Sequence, residues 1–304
     1  QTTINAQLSG RPTSAHTTVD LVNVSGTSTP DAFVLGTVSG VPPSFLAFDY
    51  ELLPNPANAG VSLRLDAAGL SASGALLTSL SPAVQNLWHT AVGNHYQREG
   101  AARDQFAEPL GVWVRGFGSD GTLSPAGGQP HADFDQENQG FEAGFEFAPH
   151  SDLRVGVLAG QAKAKIDLDA STGRADIDGD TFGAYLTWRA WNGAYADLSY
   201  RWMNIDADTH SSIGSFSLDG DADGWSFEAG YPIRLPDGMI VEPQFQFAAL
   251  EVELDDVSNS LGTIELEDGD SRVARAGAQI RKTYAVAEGV ALTPSWSVNA
   301  VTEL

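Results

Sequence analysis

The stretch Thr181–Met203 reads TFGAYLTWRAW, then Asn192-Gly193, then AYADLSYRWM, and its side chains alternate strictly along both arms. A period of two is the period of a β-strand, and Asn-Gly is the strongest short signal for a hairpin. The stretch therefore predicts a long β-hairpin with two different faces. The apolar face holds Phe182, Ala184, Leu186, Trp188 and Ala190 in the first arm and Ala194, Ala196, Leu198, Tyr200 and Trp202 in the second.

The opposite face of this hairpin carries Thr, Tyr, Arg, Asp and Ser side chains. A tilted strand of roughly 9–11 residues crosses a bilayer, and both arms reach that length. An apolar face that ends in aromatics, with polar residues on the other side, is typical of a barrel strand between lipid and a wet lumen. A large soluble β-sandwich also alternates in this way, so the hairpin alone leaves both interpretations open.

The composition excludes several classes of protein. The 304 residues contain no cysteine, which rules out disulfides, zinc–thiolate sites and cysteine nucleophiles. The sequence contains no run of 18 apolar residues, so it predicts no transmembrane helix. The net charge of −23 disfavours nucleic acid as a partner.

The charge is also unevenly distributed. Residues 1–106 hold 7 acids and 4 bases, whereas residues 107–304 hold 32 acids and 12 bases. This asymmetry predicts two regions with a boundary near residue 106.

The first region divides into two parts. Residues 1–70 contain short apolar runs broken by Ser, Gly, Pro and Asn, which predict the end of a β-solenoid or a small β cap. Residues 71–106 form a linker, in which Ser81-Pro82 predicts the start of a helix that runs to about Gln97. This helix is either an amphipathic linker on an apolar surface or a helix threaded through a pore.

From Gly111 onward the alternation recurs and predicts nine strands. Each strand has an outward apolar set and an inward set that includes charged side chains. The predicted strands are Gly111–Gly118, Gly140–Phe147, Leu153–Ala164, the two arms of the hairpin, Gly224–Arg234, Met239–Leu250, Ser271–Ala285 and Val290–Leu304.

The predicted connections favour the barrel. Tight turns are expected around Pro149–Asp152, Asn192-Gly193, Pro236–Gly238 and Ala287–Gly289, and they alternate with long polar stretches, which sorts long loops to one side as in outer-membrane barrels. The long stretches hold 20 of the 32 acids and one base, Arg174. They are expected to be loops over residues 119–136, 166–180, 206–223 and 253–270.

The inward positions of these strands carry charges of both signs, and they are the candidate pore-lining and helix-contacting residues. Pairing of the charges would stabilise a wet lumen, and the same residues would grip the helix and tune passage. The candidates are Arg115, Glu142, Glu146, Arg189, Asp197, Arg201, Glu228, Glu242, Arg275 and Arg281.

Several segments resemble monomeric autotransporters. The run Tyr96–Arg103 followed by Gly111–Gly118 is similar to the junction between helix and first strand in that family, and Val241–Gln246 resembles a later barrel strand. Val19–Leu53, with Phe48-Asp49-Tyr50-Glu51-Leu52 in it, is similar to the end of pertactin-like passengers. The resemblance is strongest over residues 75–250.

The resemblance implies an all-β fold: an antiparallel transmembrane β-barrel with an α-helix in the pore, preceded by a short β-solenoid-like segment. It implies a passenger end at 1–70, a linker with the pore helix at 71–106 and the barrel at 107–304. The family barrel has twelve strands and ends in an aromatic residue. Because this chain shows about nine strands and ends at Leu304, it is expected to be truncated at its C-terminus.

The implied function is translocation and anchoring of the chain's own passenger in the bacterial outer membrane, by type V secretion, with residues 1–70 at the cell surface. The implied partners are outer-membrane lipid and lipopolysaccharide, the barrel-assembly machinery and the passenger itself, with the chain a monomer. No catalysis and no cofactor are expected. Some relatives cleave their passenger in the pore helix, which makes Asn94 the candidate cleavage position, although the double-Asn context is missing.

Other motifs carry less information. Gly116–Gly121 matches a glycine-rich nucleotide motif, but no helix follows it, so it is interpreted as a strand end that enters a loop. Asp219-x-Asp221-x-Asp223 resembles the start of a calcium loop, but Gly230 replaces the bidentate Glu. The alternative function is a soluble β-rich adhesin or binding module with acidic, cation-binding loops.

Overall fold

The structure of the chain is a computed structural model. It describes residues 2–8, 15–25, 27, 29, 32–40, 44–55, 60–102, 109–124, 133–168, 173–211, 214–259, 262–266, 268–287 and 290–304, with side chains omitted at 94–102, 259, 262, 285, 287, 290 and 291. No helix among these residues combines the length and the apolarity needed to cross a membrane.

One curled antiparallel sheet dominates the fold. Its neighbouring strands follow the order of the chain, and one two-residue strand adds a short edge. The strands are β6 (Leu110–Leu123), β7 (Phe134–His150), β8 (Leu153–Leu168), β9 (Gly173–Arg189), β10 (Tyr195–Ser211), β11 (Gly214–Gly230), β12 (Ile233–Arg234), β13 (Met239–Leu254), β16 (Gly269–Lys282) and β19 (Ser295–Glu303).

The remaining pairs in this region are small. β14 (Val257–Asn259) pairs with β15 (Gly262–Ile264), and β17 (Tyr284–Ala287) pairs with β18 (Val290–Leu292). The tight turn after Arg189 is confirmed: Gly193 adopts φ +90° and its N–H donates to the Ala190 carbonyl at 2.9 Å. Glu288 and Gly289, in the last predicted turn, lie outside the described residues.

The convex face of the sheet confirms the predicted apolar alternation. Trp188, Trp202 and Phe245 are 46%, 44% and 47% exposed, so no second sheet from the described residues covers them as it would in a soluble sandwich. On β10 this face is apolar from Ala196 to Trp202 and turns polar at Asn204. We call this band the belt. Its large side chains include Phe141, Phe145, Phe147, Val157, Phe182, Leu186, Trp188, Leu198, Tyr200, Trp202, Trp225, Tyr231, Phe245 and Ile280.

The prediction that the acid-rich stretches form long loops is wrong, because most of their residues continue the strands. β10 runs to Ser211 and β11 starts at Gly214, for example, so only residues 212–213 separate them. Above the belt the polarity of the strand faces inverts. Aspartates such as Asp178 and Asp206 then point outward, while small and aliphatic side chains such as Ile177 and Ile205 point inward.

The inward-facing apolar residues above the belt line the concave side of β8, β9, β10, β11 and β13, and we call this surface the collar. They are fully or almost fully buried and belong to the main hydrophobic core. The collar comprises Ala162, Ala164, Ile166, Ala175, Ile177, Met203, Ile205, Ala207, Leu218, Ala222, Leu250 and Val252.

The one helix in the described part of the chain, α1 (Ala72–Ala102), packs against the collar. None of its described side chains, from Ala72 to Gly93, is exposed. Leu80, Val84, Leu87 and Trp88 are fully buried, and each buried leucine contributes about 1.5–3 kcal/mol by leaving water. The helix is therefore surrounded by the wall of the sheet and does not lie on an outer surface.

The predicted helix start at Ser81-Pro82 is wrong by ten residues. The helix begins at Ala72, with the Ser71 hydroxyl accepting a hydrogen bond from the Gly74 N–H at 3.3 Å. Pro82 lies inside the helix and removes one backbone hydrogen bond. Burial of Leu76, Leu77 and Leu80 offsets that cost.

The N-terminal region forms two small sheets. β1 (Thr2–Gln7) pairs in parallel with β3 (Phe33–Ser39), and β2 (His16–Val22), β4 (Leu46–Asn55) and β5 (Gly60–Leu70) form an antiparallel sheet in the order β2-β5-β4. Their shared core is small and is centred on the buried residues Ala6, Leu63 and Leu65. Among the strands that the structure describes, the β1–β3 pair alone has the parallel pairing that a solenoid repeats.

A glycine on β11 allows the helix to approach the wall closely. A Cβ atom at Gly224 would lie 2.8 Å from Cζ2 of Trp88 and 2.5 Å from the Ala249 carbonyl oxygen. We expect Gly224→Ala to displace Trp88 and to destabilise the fold by about 1–3 kcal/mol, as overpacking does. A change in tryptophan fluorescence and a lower urea midpoint would report it. Gly121→Ala, where a Cβ meets nothing within 4 Å, is the control, and equal midpoints for the two variants would contradict the prediction.

Candidate functional site

Below the collar, the concave face carries a buried trio of charges. Glu142 on β7 accepts a hydrogen bond from Arg201 Nη1 at 2.5 Å through one oxygen and from Arg115 Nη2 at 2.5 Å through the other. The side chain of Arg201 is completely buried, and that of Glu142 is almost so. One carboxylate is thus shared by two guanidinium groups away from water, and the trio keeps a net positive charge.

Glycines make room for this trio. Arg201 lies on β10 and Glu142 on β7, so the pair bridges the two strands between them. On those strands, a Cβ at Gly183 would lie 3.2 Å from Arg201 Cγ, and a Cβ at Gly160 would lie 2.6 Å from Glu142 Cγ. The two long side chains therefore run directly over glycine backbone.

The trio is joined to the helix. Arg115 Nη2 also donates to the backbone carbonyl of Ala91 at 2.7 Å, and its guanidinium carbon lies 5.9 Å from the Trp113 ring centroid and 5.6 Å from that of Phe117. A second polar contact is made higher up, where the side-chain amide of Gln136 donates to the Ala83 carbonyl at 2.9 Å. Both contacts hold helix backbone and do not depend on a helix side chain.

A second network lies towards the turn side of β7, β8 and β9. Glu146 accepts from Arg154 Nη1 at 2.5 Å and from the Tyr185 hydroxyl at 2.6 Å. The indole N–H of Trp113 donates to that same hydroxyl at 2.8 Å. Each aromatic ring lies across a glycine of the neighbouring strand, Tyr185 over Gly156 and Trp113 over Gly144.

The other candidates lie on the later strands. Glu228 accepts from Arg275 Nη2 at 2.9 Å and from the Tyr195 hydroxyl at 3.2 Å. Glu242 forms an ion pair with Arg281 at 3.4 Å. Asp197 is buried between its cross-strand neighbours Thr187 and Glu228, and Arg189 is half-buried at the end of β9.

The structure thus collects eight of the ten predicted residues into four sets of ion pairs, and places Asp197 and Arg189 beside them. Sequence reasoning missed Arg154 and Tyr185, although both occupy inward positions of the same alternation. It also missed Gln136, because the sequence predicts a loop over residues 119–136. Asn94 lies within the helix, but its side chain is outside the described residues.

The convex face above the belt is strongly acidic. Carboxylates lie directly opposite each other on adjacent strands, as in Asp178–Asp206–Asp219 and Asp223–Glu251–Asp270, and like charges in such positions repel. Asp219, Asp221 and Asp223 point outward from β11. The comparison with a calcium loop is therefore wrong, because the segment is an extended strand.

This repulsion affects Glu253. The negative charges of Asp268 and then Asp221 raise the pKa of the Glu253 carboxyl above its ordinary value of 4.5. The folded state then binds this proton more tightly than the unfolded state does, so stability falls as pH rises through the raised pKa and returns as pH is lowered.

We therefore expect Glu253→Gln to raise the melting temperature at neutral pH and to lose that gain below pH 4.5, where the wild-type carboxyl is protonated in both states. Thermal melts at several pH values measure it. Asp180→Asn is the control, because Asp180 lies opposite Gln161 and Asn204 and not opposite an acid. A pH-independent difference between Glu253→Gln and the wild type would contradict this account.

The strand region of the chain matches a known protein family. Residues 112–304 match the model of the family described as Autotransporter beta-domain. The chain belongs to this family. As an autotransporter β-domain, it is an outer-membrane translocator of type V secretion.

Solved structures of autotransporter β-domains share the fold. The beta domain of the Bordetella autotransporter BrkA is 21% identical, with a TM-score of 0.54, over 64% of this chain and 80% of that chain. The translocator domain of the autotransporter NalP from Neisseria meningitidis is 13% identical, with a TM-score of 0.53, over 71% of this chain and 78% of that chain.

A curated relative is much longer. The chain is 28% identical over 226 residues to the uncharacterized protein YaiT of Escherichia coli K12, an alignment that covers 71% of this chain and 23% of that protein. The chain therefore spans about a quarter of the relative's length.

Proposed function

We propose that this β-domain exports and then anchors its own N-terminal passenger. In this proposal residues 1–70 are the end of the passenger, residues 71–106 connect it to the pore, and residues 107–304 form the barrel. The observation that carries the proposal is the continuous path of the chain. β5 ends at Leu70, α1 begins at Ala72, and the helix runs inside the curled sheet before β6 begins at Leu110.

The charged residues below the collar are proposed to grip the helix after export. Arg115 supports this role through its bond to the Ala91 carbonyl. A bond to helix backbone tolerates different passing sequences, because every residue offers a carbonyl. Glu142, Arg201, Glu146, Glu228, Arg275, Glu242, Arg281, Asp197 and Arg189 are proposed to line the pore. Cleavage at Asn94 is not part of this proposal.

The proposed partners follow from the surfaces of the molecule. The belt would contact outer-membrane lipid and lipopolysaccharide, and insertion of so many strands would require the barrel-assembly machinery. The chain is proposed to act as a monomer, to need no cofactor and to catalyse no reaction, since transport and anchoring require only the pore and its contacts.

Protease treatment of intact cells tests the proposal. A tag placed before residue 1 should be removed by external protease, whereas a tag in the short turn at Asn192-Gly193 should be protected until the outer membrane is permeabilised. Loss of both tags from intact cells, or of neither, would contradict the proposed topology. A soluble, detergent-free protein would instead support the adhesin alternative.

A further inference from the structure

The charged trio on the concave face is not electrically balanced. Glu142 is shared by Arg115 and Arg201, so one negative charge faces two positive charges. The Arg115 side chain is 10% exposed and also bonds the Ala91 carbonyl, whereas the Arg201 side chain has no contact with solvent. A buried charge without a full counter-charge is strongly unfavourable. The excess positive charge is therefore most costly at Arg201.

The guanidinium group of Arg201 has one unused edge. Its Nη1 donates to Glu142 Oε1 at 2.5 Å. Its Nε and Nη2 are buried and have no hydrogen-bond partner among the described residues. The N–H groups on these two nitrogens point the same way, and together they make the fork that binds an anion through two parallel hydrogen bonds. Arg201 therefore presents a complete fork of buried donors.

A hydroxyl group lies beside this fork. Arg201 runs over Gly183 on β9, and Thr181 is the next inward residue of that strand. Thr181 is also directly opposite Gly160, over which Glu142 runs. Thr181 is 2% exposed, and its Oγ1 has no hydrogen-bond partner in the described part of the chain. The register thus places a further buried donor next to the guanidinium group.

The neighbouring acids do not balance the charge of Arg201. The helix carries no Asp or Glu from Ala72 to Gly93. Glu146 is already bonded to Arg154. Asp197 lies four residues from Arg201 on the same strand, which is about 14 Å at roughly 3.4 Å per residue. Neither this part of the helix nor these two acids therefore supplies the missing negative charge.

An anion suits this site better than water does. Internal water normally satisfies buried polar groups, but a water molecule would leave the excess charge in place. An anion would accept the same hydrogen bonds and balance the charge, and charge-assisted bonds are about twice as strong as neutral ones. Because Arg201 and its strand neighbour Met203 are fully buried, the anion has to be small.

We propose that the Nε and Nη2 edge of Arg201, together with the Thr181 hydroxyl, binds a small monovalent anion of the halide class. With Glu142, this anion balances both guanidinium groups of the trio. The site belongs to the folded wall of the barrel. It goes beyond the proposed export function, which does not require it.

Thermal melts of the full chain in detergent test the site, with chloride replaced by gluconate at constant ionic strength. Gluconate is too large to reach a buried fork. Raising chloride from about 1 to 300 mM should raise the melting temperature by about 2–4 °C, because a ligand that binds only the folded state stabilises it.

Variants show whether the chloride response comes from this site. Arg201→Met removes the fork and leaves Glu142 paired with Arg115, so the response should be lost. Thr181→Val keeps the shape of the side chain and the whole trio, and it should lower the response by at least about half, since one donor is lost. Thr181→Val therefore provides the test even if Arg201→Met does not fold, as heat-modifiable migration on gels would show.

The matched control replaces a different buried ion pair. Arg154→Met with Glu146→Gln removes both charges of the neighbouring network, and it should keep the full chloride response. An unchanged response in folded Thr181→Val would overturn the proposal. So would a control that loses the response, because the effect of chloride would then not be specific to Arg201.

Diffraction from crystals of the full chain grown in sodium bromide locates the anion directly. We expect an anomalous peak within hydrogen-bonding distance of Arg201 Nε and Nη2. An ordered water at the fork with no anomalous signal, or bromide at other positions only, would overturn the proposal whatever the melts show.

Discussion

Glu142→Gln is expected to destabilise the folded barrel by about 3–5 kcal/mol, the usual result of removing one partner from a buried ion pair. The substitution keeps the shape of the side chain but leaves two guanidinium groups, Arg115 and Arg201, without their shared anion. Arg201 has no exposure to water that could compensate. Urea titration in lipid or detergent, followed by tryptophan fluorescence, measures the loss.

Two further variants identify the cause. Glu142→Gln combined with Arg201→Met should recover much of the stability, because replacing a buried ion pair by apolar atoms is often neutral. Asp178→Asn is the matched control: it breaks the Lys163–Asp178 pair, also between adjacent strands, but on the exposed face. A double variant less stable than Glu142→Gln, or an Asp178→Asn variant equally impaired, would contradict the role of buried charge.

Leu198→Arg should strongly reduce insertion into bilayers. Leu198 lies in the belt on β10, with its side chain about half exposed on the convex face. An arginine that faces lipid near the midplane costs about 2–4 kcal/mol. The fraction of heat-modifiable, folded protein after mixing with lipid vesicles measures the effect.

Asp206→Arg provides the control on the same face of the same strand. Asp206 lies beyond the belt, opposite Asp178 and Asp219, so a positive charge there meets water and two acids. Insertion should equal that of the wild type. Equal losses in both variants would mean that Leu198 does not face lipid.

The strand faces could be predicted from the sequence because a period of two needs no knowledge of the fold. The same period continues through Ala175–Asp180 and Ile205–Asp208, where small or aliphatic residues alternate with aspartate. Their acidity nevertheless favours loops when the sequence is considered alone. The alternation is present in the sequence, but whether the apolar or the polar side chains face inward depends on whether lipid or water lies outside the wall at that height.

The helix start could not be predicted locally. Ser73 and Gly74 have the composition of a flexible joint, but Gly74 lies against the Phe45 carbonyl, where a side chain would collide. Tertiary contact therefore decides that these residues begin a helix. Ser81-Pro82 is a sound local start signal, and burial of the preceding leucines overrides it.

The sequence also could not predict which candidate residues contact one another. The alternation places Glu142 and Arg201 on the inward face but gives neither their relative height nor the strands between them. The stagger of the strands and the glycines at positions 160 and 183 bring the two together. The side of the sheet on which a residue lies is a local property, whereas the identity of its ion-pair partner depends on the register of four strands.

The extension of the strands beyond the belt has a consequence for the place where exported chain first becomes free to fold. β10 continues from Asn204 to Ser211, which at about 3.4 Å per residue and the usual tilt of about 40° lifts the mouth roughly 20 Å clear of the hydrocarbon. A polypeptide that leaves the pore at the ends of these extended strands enters bulk solvent, beyond the lipid headgroups. Its newly formed sheets can then pack their apolar side chains against one another before these side chains contact lipid.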